Sequence, residues 1–416
     1  MNLGKRAFIF LILTSVSVCT ACGKNADTNE NSNKEKPVVW FNRQPSNSTT
    51  GELDLDAVNF NSKTYFVGLD MAQGTGLQGE MIINYLDNCD ESLDRNGDGI
   101  IGYILAIGDA GHNISMSRTR GTRTALGTGV ESNGEIDVTE AGINLDGTSA
   151  VVKDGTVNIA GKDFVIREIA SKEMKSPEGI TWDAETAGTY MKEWSGQFGD
   201  KIDLIVSNND GMGLKMFEEW AHSNNVPVFG YDAIETCVAA IEDGFCGSIS
   251  QRADVQAYLT LRVLRNGIDG VDVNTGISTQ DEVGNVLTEL DYYYSEKERA
   301  FKTLNLPVTK GNFNDYLDPK STYPAVSHKL DATTHPKKRV WMNIYSVDDD
   351  FLNQTYRPLI QKYAEILNLD VTIVEGNGYD ESSITDKLGA PSNYDAFAIN
   401  MIKTDDAPIY MDILSK

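Results

Sequence analysis

The chain has 416 residues, 40% of them hydrophobic, and a formal net charge of −25 at pH 7. This length allows two domains, each large enough to bury its own core. The strong negative charge argues against nucleic acid as a partner and against binding of the protein body to anionic lipid.

The first residues are predicted to form a removable export signal rather than part of the fold. Lys5 and Arg6 precede the apolar run AFIFLILTSVSV, which is too short to span a membrane as a stable helix and is typical of a secretory signal. The run ends in CTACGKN, where two small residues precede Cys22, as they do in bacterial lipoproteins. We therefore expect a signal peptide over residues 1–21, cleavage before Cys22 and a lipid on its thiol, which would anchor the protein to the membrane on its extracytoplasmic side. An ordinary signal peptide without a lipid is the alternative.

Residues 22–36 are predicted to be a polar tether, because they contain too few apolar residues to fold. Beyond them, short apolar β-rich runs alternate with amphipathic helical stretches almost throughout. Continuous apolar strands between helices indicate parallel sheets covered on both faces, and their number indicates two sheets and therefore two lobes. The predicted strand runs are PVVWFN, TYFVGLD, IGYILAIGD, KDFVIREI, IDLIVSNND, VPVFGYD, RVWMNIY, LDVTIVEG and YDAFAINMI.

The segment GTGLQG matches a dinucleotide-binding pattern but is interpreted as structural. Gly74, Gly76 and Gly79 follow a strand and open a helix, as that pattern requires. The acidic residue expected about twenty residues later, at the end of the next strand, is missing. The sequence also lacks G-x-S-x-G, H-E-x-x-H and a cysteine with a plausible catalytic base. These observations predict that the protein is not an enzyme.

The segment DRNGDGII has the spacing of a calcium-binding loop. Asp94, Asn96 and Asp98 place oxygen atoms at alternate positions, Gly99 permits a sharp turn, and the carbonyl of Ile100 can supply the next ligand. The position at which an EF-hand places its bidentate glutamate is an apolar residue in the next strand. The loop must therefore borrow a carboxylate from elsewhere to hold Ca²⁺, and the alternative is a turn rich in Asp and Asn without an ion.

Three cysteines lie beyond the predicted signal, at Cys89, Cys237 and Cys246. Export allows a disulfide, and Cys237 with Cys246 is the obvious local pair. The odd number argues against a framework of disulfides, and three free buried thiols are the alternative.

Residues 307–337 are predicted to be a long surface linker, because they are rich in Pro, Lys, Asn and Thr without a sustained period. The strand RVWMNIY follows this linker and runs into a loop with three consecutive aspartates and a phenylalanine. A strand of this kind usually opens an α/β domain, so a new unit begins here.

Polar and aromatic residues gather where the predicted strands end. Open α/β sheets bind ligands at the carboxyl ends of their strands, so these residues are expected to share one crevice. The set is Asn42, His112, Asn209, Asp232, Asp349 and Phe351, with Trp182 in a neighbouring loop.

The chain resembles the galactose/glucose-binding protein family of bacterial sugar transport. The family's first segment, a strand followed by an acidic loop with an aromatic residue, resembles the late IYSVDDDF, so the chain is similar to a circular permutant of that family. The resemblance implies two Rossmann-like α/β lobes with parallel sheets, joined by a three-strand hinge as in type I periplasmic binding proteins. The motifs that carry it are VVWFNRQPS, TYFVGLDMAQGTGLQGEMI, DRNGDGII, GHNISMSR, TWDAETA, KIDLIVSNNDGM and VPVFGYDA, in that order.

The resemblance also implies a sugar site. Phe351 and Trp182 would cover the apolar faces of a pyranose, while acidic groups accept hydrogen bonds from its hydroxyls and basic or amide groups donate them. At two positions the chain departs from the family: Ile114 replaces an acid, with Asn113 beside it as a substitute, and Gln251 replaces an asparagine. The expected sugar-binding residues are Asp349, Phe351, Asn42, His112, Arg118, Trp182, Asn209, Asp232, Gln251 and Asn113.

For the metal, the resemblance implies that Asp203 in KIDLIV supplies the borrowed carboxylate. The expected structural Ca²⁺ ligands are then Asp94, Asn96, Asp98, the carbonyl of Ile100, and Asp203.

The expected domain boundaries follow from the same resemblance. Lobe one comprises residues 37–68, 252–294 and 338–416, and lobe two comprises residues 69–251 and 295–306. The hinge is expected near Gly68–Asp70, Gln251–Arg252 and Tyr293–Ser295.

The function implied is that of a monomeric solute-binding lipoprotein of an ABC importer. It would bind a monosaccharide, glucose or galactose, between the lobes and deliver it to the permease subunits. A sugar-sensing partner in chemotaxis with the same fold is one alternative, and a secreted carbohydrate-active enzyme, which would need a hydrolytic carboxylate pair, is another.

Overall fold

In a computed structural model of the chain, residues 35–416 form one compact unit. The predicted signal peptide, Cys22 and nearly all of the predicted tether lie outside the described residues. None of the helices that are described is both long and apolar enough to cross a membrane. The structure describes residues 35–48, 52–110, 112–129, 131–132, 135–136, 152–279, 282–284, 287–317 and 328–416.

Strands and helices alternate along the chain. The strands are β1 (Val38–Phe41), β2 (Thr64–Leu69), β3 (Ile100–Ile107), β4 (Glu131–Ser132), β5 (Glu135–Ile136), β6 (Gly155–Ile159), β7 (Lys162–Glu173), β8 (Leu204–Ser207), β9 (Val228–Phe229), β10 (Gly247–Ser250), β11 (Tyr292–Ser295), β12 (Ala300–Thr303), β13 (Leu306–Thr309), β14 (Lys338–Ile344), β15 (Leu369–Glu375) and β16 (Ala396–Ile399). The α-helices are α1 (Leu55–Val58), α2 (Met71–Asp87), α3 (Asn113–Ala125), α4 (Ala184–Phe198), α5 (Asp210–Met216), α6 (His222–Asn224), α7 (Glu235–Ala240), α8 (Ala253–Asp269), α9 (Phe313–Leu317), α10 (Arg357–Ile366), α11 (Ser382–Thr385) and α12 (Ala407–Leu414). Short 3-10 turns lie at Glu91–Leu93, Gly199–Lys201 and Pro391–Asn393, and π-helical turns at Phe217–Ala221 and Phe351–Tyr356.

Within the described residues, these strands build two seven-stranded sheets and a short β4–β5 ribbon. The sheet of lobe one has the order β11-β12-β2-β1-β16-β14-β15, and that of lobe two has the order β13-β10-β9-β8-β3-β7-β6. The prediction of two α/β lobes is confirmed, but the sheets are mixed rather than wholly parallel. The pairs β11–β12, β10–β13 and β6–β7 are antiparallel and involve edge strands, where a parallel sheet commonly accepts such a strand.

Continuous apolar sequence explains the central strands. Every residue of β1 is buried, as is every residue of β3 after Ile100, because helices cover both faces of each sheet. Helix α2 begins at Met71 and is capped by Asp70, whose carboxylate accepts a hydrogen bond from the backbone N–H of Gln73 at 3.1 Å. The core of each lobe therefore lies between its sheet and its helices, and the carboxyl ends of the parallel strands remain available for a site.

Three neighbouring segments carry the chain between the lobes, and a fourth passage, from α9 to β14, includes residues outside the described ones. The first leaves β2 at Asp70, the second leaves β10 at Gln251, and the third joins β12 to β13 through Asn305. Thr303 connects them, because its carbonyl accepts from the N–H of Asp70 at 2.9 Å and its hydroxyl donates to the carbonyl of Gln251 at 3.1 Å. The side-chain amide of Asn305 donates to the carbonyl of Asp70 at 2.8 Å.

The predicted third crossing near Tyr293–Ser295 is wrong. These residues form β11, which turns back into β12, and both strands pair within lobe one. The chain therefore enters lobe two again only at Leu306, and residues 295–303 belong to lobe one. The predicted linker over 307–337 is also wrong at its start, where the structure has β13 and α9.

The late strand β14 lies inside the sheet of lobe one. It pairs in parallel with β15 and β16, and β16 pairs in turn with β1, with Phe397 opposite Val38. The end of the chain thus completes the sheet that its beginning starts, which is the arrangement that the permutation requires. The permutation itself stays a prediction.

The three cysteines of the body are free thiols in the structure. Cys237 is buried, and burial raises the pKa of its thiol well above the usual range. The neighbouring carboxylate of Asp210 raises this pKa further. The alternative of free thiols is therefore favoured over a bond between Cys237 and Cys246.

Candidate functional site

A small cavity of about 30 Å³ lies between the lobes, at the carboxyl ends of the parallel strands. Loops after β1 and β14 supply its wall from lobe one, and loops after β3, β7, β8, β9 and β10 supply its wall from lobe two. Nine of the ten predicted sugar-binding residues line it; their role in binding stays a prediction. The lining residues are Asn42, Arg43, His112, Ile114, Arg118, Trp182, Asn209, Asp232, Gln251, Tyr345, Asp349 and Phe351.

Trp182 lies directly over the end of β3. Its backbone N–H donates to the carbonyl of Gly108 at 3.2 Å, and a Cβ at Gly108 would lie 2.2 Å from the indole ring. The glycine is therefore required for this ring position. Trp182 adopts a φ of 63°, a left-handed conformation that is uncommon for a bulky residue, and its side chain is only 9% exposed.

Lobe one supplies the second ring. Phe351 opens the π-helical turn after β14, and its ring packs against Tyr356 with centroids 5.9 Å apart. The ring is 4% exposed. The cavity thus receives one aromatic side chain from each lobe.

The two carboxylates of the cavity also come from different lobes. Asp232 accepts from Arg118 at 3.2 Å and from the amide of Gln251. Asp349 accepts from the backbone N–H of Leu352 at 2.8 Å and from the Tyr345 hydroxyl. Burial raises the pKa of Asp232 well above its usual range, and the nearby Asp349 carboxylate raises it further. The two acids line the same cavity from opposite lobes.

Arg118 is fixed by several contacts within lobe two. Its guanidinium lies 3.6 Å from the centre of the Tyr231 ring and donates to the carbonyl of Asn208 at 2.5 Å. Together with Asp232 these partners leave one nitrogen, Nε, buried without a hydrogen bond. The arginine therefore neutralises Asp232 and still has a donor to offer.

His112 is a neutral donor. Its Nδ1 accepts from the backbone N–H of Ile114 at 3.3 Å and caps helix α3, so the proton is on Nε2. Burial lowers the pKa of His112 well below its usual range, and the positive charges of Arg43 and Arg118 lower it further. The Nε2–H group is buried and has no partner in the structure.

The asparagines have different roles. Asn42 lines the cavity at the end of β1 with a φ of 60°. The side chain of Asn209 caps helix α5 by accepting from the N–H of Met212 at 2.9 Å. Asn113 does not line the cavity, because its amide points to the other lobe and donates to the hydroxyl of Ser46 at 2.9 Å. The predicted direct role of Asn113 therefore does not agree with its position.

Sequence reasoning missed Arg43 and Tyr345. The Arg43 guanidinium lies 3.4 Å from the centre of the Tyr345 ring and donates to the carbonyl of Ile402. Tyr345 in turn orients Asp349. A signal was present in both cases, because Arg43 follows Asn42 directly and Tyr345 follows the last residue of β14. Ile114, which replaces an acid of the resembled family, forms an apolar part of the wall.

Several polar atoms of the cavity lack a partner within the protein. Buried polar atoms normally have hydrogen-bond partners, and four at the cavity have none within the protein: His112 Nε2, Trp182 Nε1, Arg118 Nε and Gln251 Oε1. The present volume holds only about two water molecules, so the lobes must separate before a larger molecule enters.

The loop predicted to bind calcium is held by its own hydrogen bonds. Asp94 accepts from the N–H groups of Gly97 and Gly99, at 2.9 and 2.8 Å. Asp203 accepts from the N–H groups of Arg95 and Gly102, at 3.0 and 2.8 Å, and burial raises its pKa to about 6.

The same loop supplies oxygen atoms, which suit Ca²⁺ in kind. Asn96, however, turns its amide nitrogen toward the carboxylate of Asp98 at 3.0 Å, and the carbonyl ligand expected at Ile100 lies at the start of β3. Among the described residues no three His, Cys, Asp or Glu side chains are grouped to hold a metal ion. Calcium stays a prediction.

Comparison with known proteins gives the family. Family models described as a periplasmic binding protein domain match residues 32–271 and 337–407. The D-galactose/methyl-galactoside binding periplasmic protein MglB of Haemophilus influenzae is 22% identical over 324 residues, which are 76% of each chain. A xylitol-binding protein of Mycolicibacterium smegmatis is 25% identical over 62% of this chain and 78% of its own length. The crystal structure of an ABC transporter periplasmic solute binding protein from Actinobacillus succinogenes with bound D-allose is 14% identical over 67% of this chain and 72% of its own, with a TM-score of 0.41.

The longer family match covers more than half of the sequence and includes every described site residue of lobe two. Members of this family bind solutes outside the cytoplasm and do not transform them, which confirms the predictions of a non-enzymatic and extracytoplasmic protein. The chain belongs to the periplasmic binding protein family.

Proposed function

We propose that this protein is the solute-binding lipoprotein of an ABC sugar importer and that it binds a hexose, glucose or galactose, in the cavity between its lobes. The observation that carries the proposal is the set of buried polar atoms without partners at the cavity, on His112, Trp182, Arg118 and Gln251. A polyhydroxylated ring offers a hydroxyl to each of them, and every hydroxyl can both donate and accept.

The charges of the cavity favour a neutral ligand. The described lining carries two arginines, Arg43 and Arg118, and two carboxylates, Asp232 and Asp349, so its formal charges balance within the protein. An ionic solute would leave one of them in excess in a buried site, at a cost of several kcal/mol. The aromatic rings of Trp182 and Phe351 suit the apolar C–H faces of a pyranose.

Two relatives support this class of ligand. One is named for D-galactose and methyl-galactoside, and the other for xylitol. Both names denote neutral molecules with several hydroxyl groups. By extension, the partners proposed for this chain are the permease subunits of an ABC importer, the protein is a monomer, and a lipid on Cys22 holds it to the membrane.

Binding is proposed to close the lobes about the three crossing segments. Asp349 and Phe351 lie on lobe one, and Trp182 and Asp232 lie on lobe two. A ligand that contacts both groups stabilises the closed form specifically, because those contacts cannot all form when the lobes are apart.

Titration calorimetry on residues 35–416 tests the proposal. Galactose, glucose, ribose and xylose are titrated separately, and we expect micromolar or tighter binding of at least one hexose and no detectable heat from the pentoses. Absence of binding by both hexoses at millimolar concentration would refute the assignment.

Calcium is proposed as a structural ion of lobe two, with Asp94, Asn96, Asp98, the Ile100 carbonyl and Asp203 as its ligands. The oxygen-rich spacing of the loop supports this. The ion would act on stability and not on the sugar, because the loop lies at the opposite, amino-terminal end of β3 from the cavity.

A further inference from the structure

A second and larger chamber, of about 290 Å³, lies between the lobes beside the cavity already described. His112 lines both spaces. The volume of this second chamber is close to roughly 300 Å³, the lower end of the range for small-ligand pockets. The outer chamber therefore has the room that the inner cavity lacks.

On both sides, residues that are neighbours in the sequence or hydrogen-bonded to each other line the two chambers. Thr181 lines the outer chamber and the next residue, Trp182, lines the inner one. On the opposite side Ile402 lines the outer chamber, and its carbonyl accepts a hydrogen bond from Arg43, which lines the inner one. The two chambers are therefore direct neighbours along both walls.

Tyr379 provides an aromatic surface in the outer chamber. Its side chain is 50% exposed, although the loop that carries it is fixed. The side-chain oxygen of Asn377 accepts from the N–H groups of Tyr379 and Asp380, at 3.2 and 2.9 Å, and the N–H of Gly378 donates to the carbonyl of Tyr345 at 2.9 Å. A large ring that is half exposed on a fixed loop suits stacking on the apolar face of a sugar.

The charged groups of the outer chamber are of both signs. Lys175 comes from lobe two, and Lys403 and Asp405 come from lobe one. Thr181 donates to Asp109 at 3.1 Å. Ammonium groups that donate and carboxylates that accept, in equal measure, suit the hydroxyls of an uncharged group rather than an anion.

From these contacts we propose that the outer chamber is a second sugar subsite, so that the protein takes a disaccharide or other glycoside with one ring in each chamber. Tyr379 stacks on the outer ring and determines its affinity. This inference rests on the proposed binding of a hexose in the inner cavity. Because both lobes contribute to the outer chamber, the outer ring adds further contacts that exist only in the closed form.

Calorimetry with single sugars and disaccharides tests the inference. Galactose, glucose, lactose, melibiose and maltose are titrated into the unaltered protein and into Tyr379→Ala and Tyr379→Phe. Leu290→Ala, which removes a side chain that is 75% exposed and outside both chambers, is the control. We expect at least one disaccharide to bind as tightly as the better single sugar. Tyr379→Ala should weaken that disaccharide about three- to tenfold and single sugars by less than about twofold, while Tyr379→Phe retains the stacking ring and the affinity.

The outcomes separate the inference from the function on which it rests. If single sugars bind and every disaccharide binds more than about tenfold more weakly, the outer chamber is not a sugar subsite. Equal affinity of the disaccharide for the unaltered protein and for Tyr379→Ala overturns the role of the ring. If neither single sugars nor disaccharides bind, the proposed function fails as well.

Discussion

The position of Trp182 on Gly108 makes a substitution there a sensitive test of the site. A methyl group added at Gly108 would lie 2.2, 2.3 and 2.4 Å from the indole carbons Cε3, Cζ3 and Cδ2. Carbon atoms in contact stay roughly 3.5–4.0 Å apart, so the ring must move by more than about 1 Å. Overpacking of this kind costs about 1–3 kcal/mol. We therefore expect Gly108→Ala to lower the free energy of unfolding by that amount.

A double-mutant cycle with Trp182→Ala attributes the cost to this contact. The clash involves only ring atoms, so Gly108→Ala should cost close to nothing once the ring is absent. Urea unfolding of the four proteins gives the coupling free energy. Gly76→Ala is the matched control, because Gly76 is exposed in helix α2 with open space around its missing Cβ, and alanine there should stabilise by about 0.5–1 kcal/mol.

The displaced ring should also affect binding. Whichever hexose the unaltered protein binds should bind more weakly to Gly108→Ala, although residue 108 itself does not line the cavity. A free energy of unfolding lowered equally with and without the Trp182 ring would refute the packing argument, as would a Gly108→Ala protein as stable as the Gly76→Ala control.

Four further outcomes are expected. Asp349→Ala should weaken hexose binding at least about tenfold by calorimetry, because it removes an oriented acceptor. Glu168→Gln should lower the free energy of unfolding by about 3–5 kcal/mol in urea, because it leaves the fully buried Arg123, which donates to Glu168 at 2.6 Å, without a counter-charge. Burial raises the pKa of Asp210 to about 6. Between about pH 4 and 6 the carboxyl of Asp210 therefore keeps its proton in the folded protein, whereas the unfolded chain has released it. The contribution of Asp210 to the free energy of unfolding should fall as the pH rises through this range, by up to about 3 kcal/mol. Asp210→Asn should remove this fall. Millimolar CaCl₂ should raise the melting temperature above that in EGTA, and Asp98→Asn should reduce the difference.

Each of these has a control or a contrary result. Asp348→Ala, next to Asp349 but outside the cavity, should bind the hexose normally. Asp154→Asn breaks an exposed pair with Arg167 and should cost less than about 1 kcal/mol. Identical pH profiles of stability for Asp210→Asn and the unaltered protein would contradict the assigned pKa. A melting temperature indifferent to EGTA would count against calcium.

The sequence predicts the parts of the fold that rest on local pattern. Buried parallel strands read as continuous apolar runs, so the ends of β1, β3 and β8, and with them Asn42, His112 and Asn209, were predictable. The hairpin of β11 and β12 was not, because Tyr292–Ser295 looks the same whether it pairs back on itself or crosses to the other lobe. Only the register of Tyr292 with Thr303 decides.

The residues of the site also divide into those that local sequence predicts and those that depend on tertiary contacts. Arg43 and Tyr345 were missed, since their importance arises from stacking on each other across two loops far apart in sequence. Asn113 was predicted to bind the sugar but lies outside the cavity lining, because one step along helix α3 turns its amide toward Ser46. Direction around a helix depends on packing that local sequence does not contain.

Thr303 links the neighbouring segments that join the two lobes. Its carbonyl accepts a hydrogen bond from the segment that leaves at Asp70, and its hydroxyl donates one to the segment that returns at Gln251, so a movement of one of these three connections is transmitted to the others. Rotation about one shared axis is then the easiest movement. With the closure proposed above, every surface of lobe two, however remote from the cavity, would turn through the same angle, and a receptor elsewhere on that lobe could detect occupancy without touching the ligand.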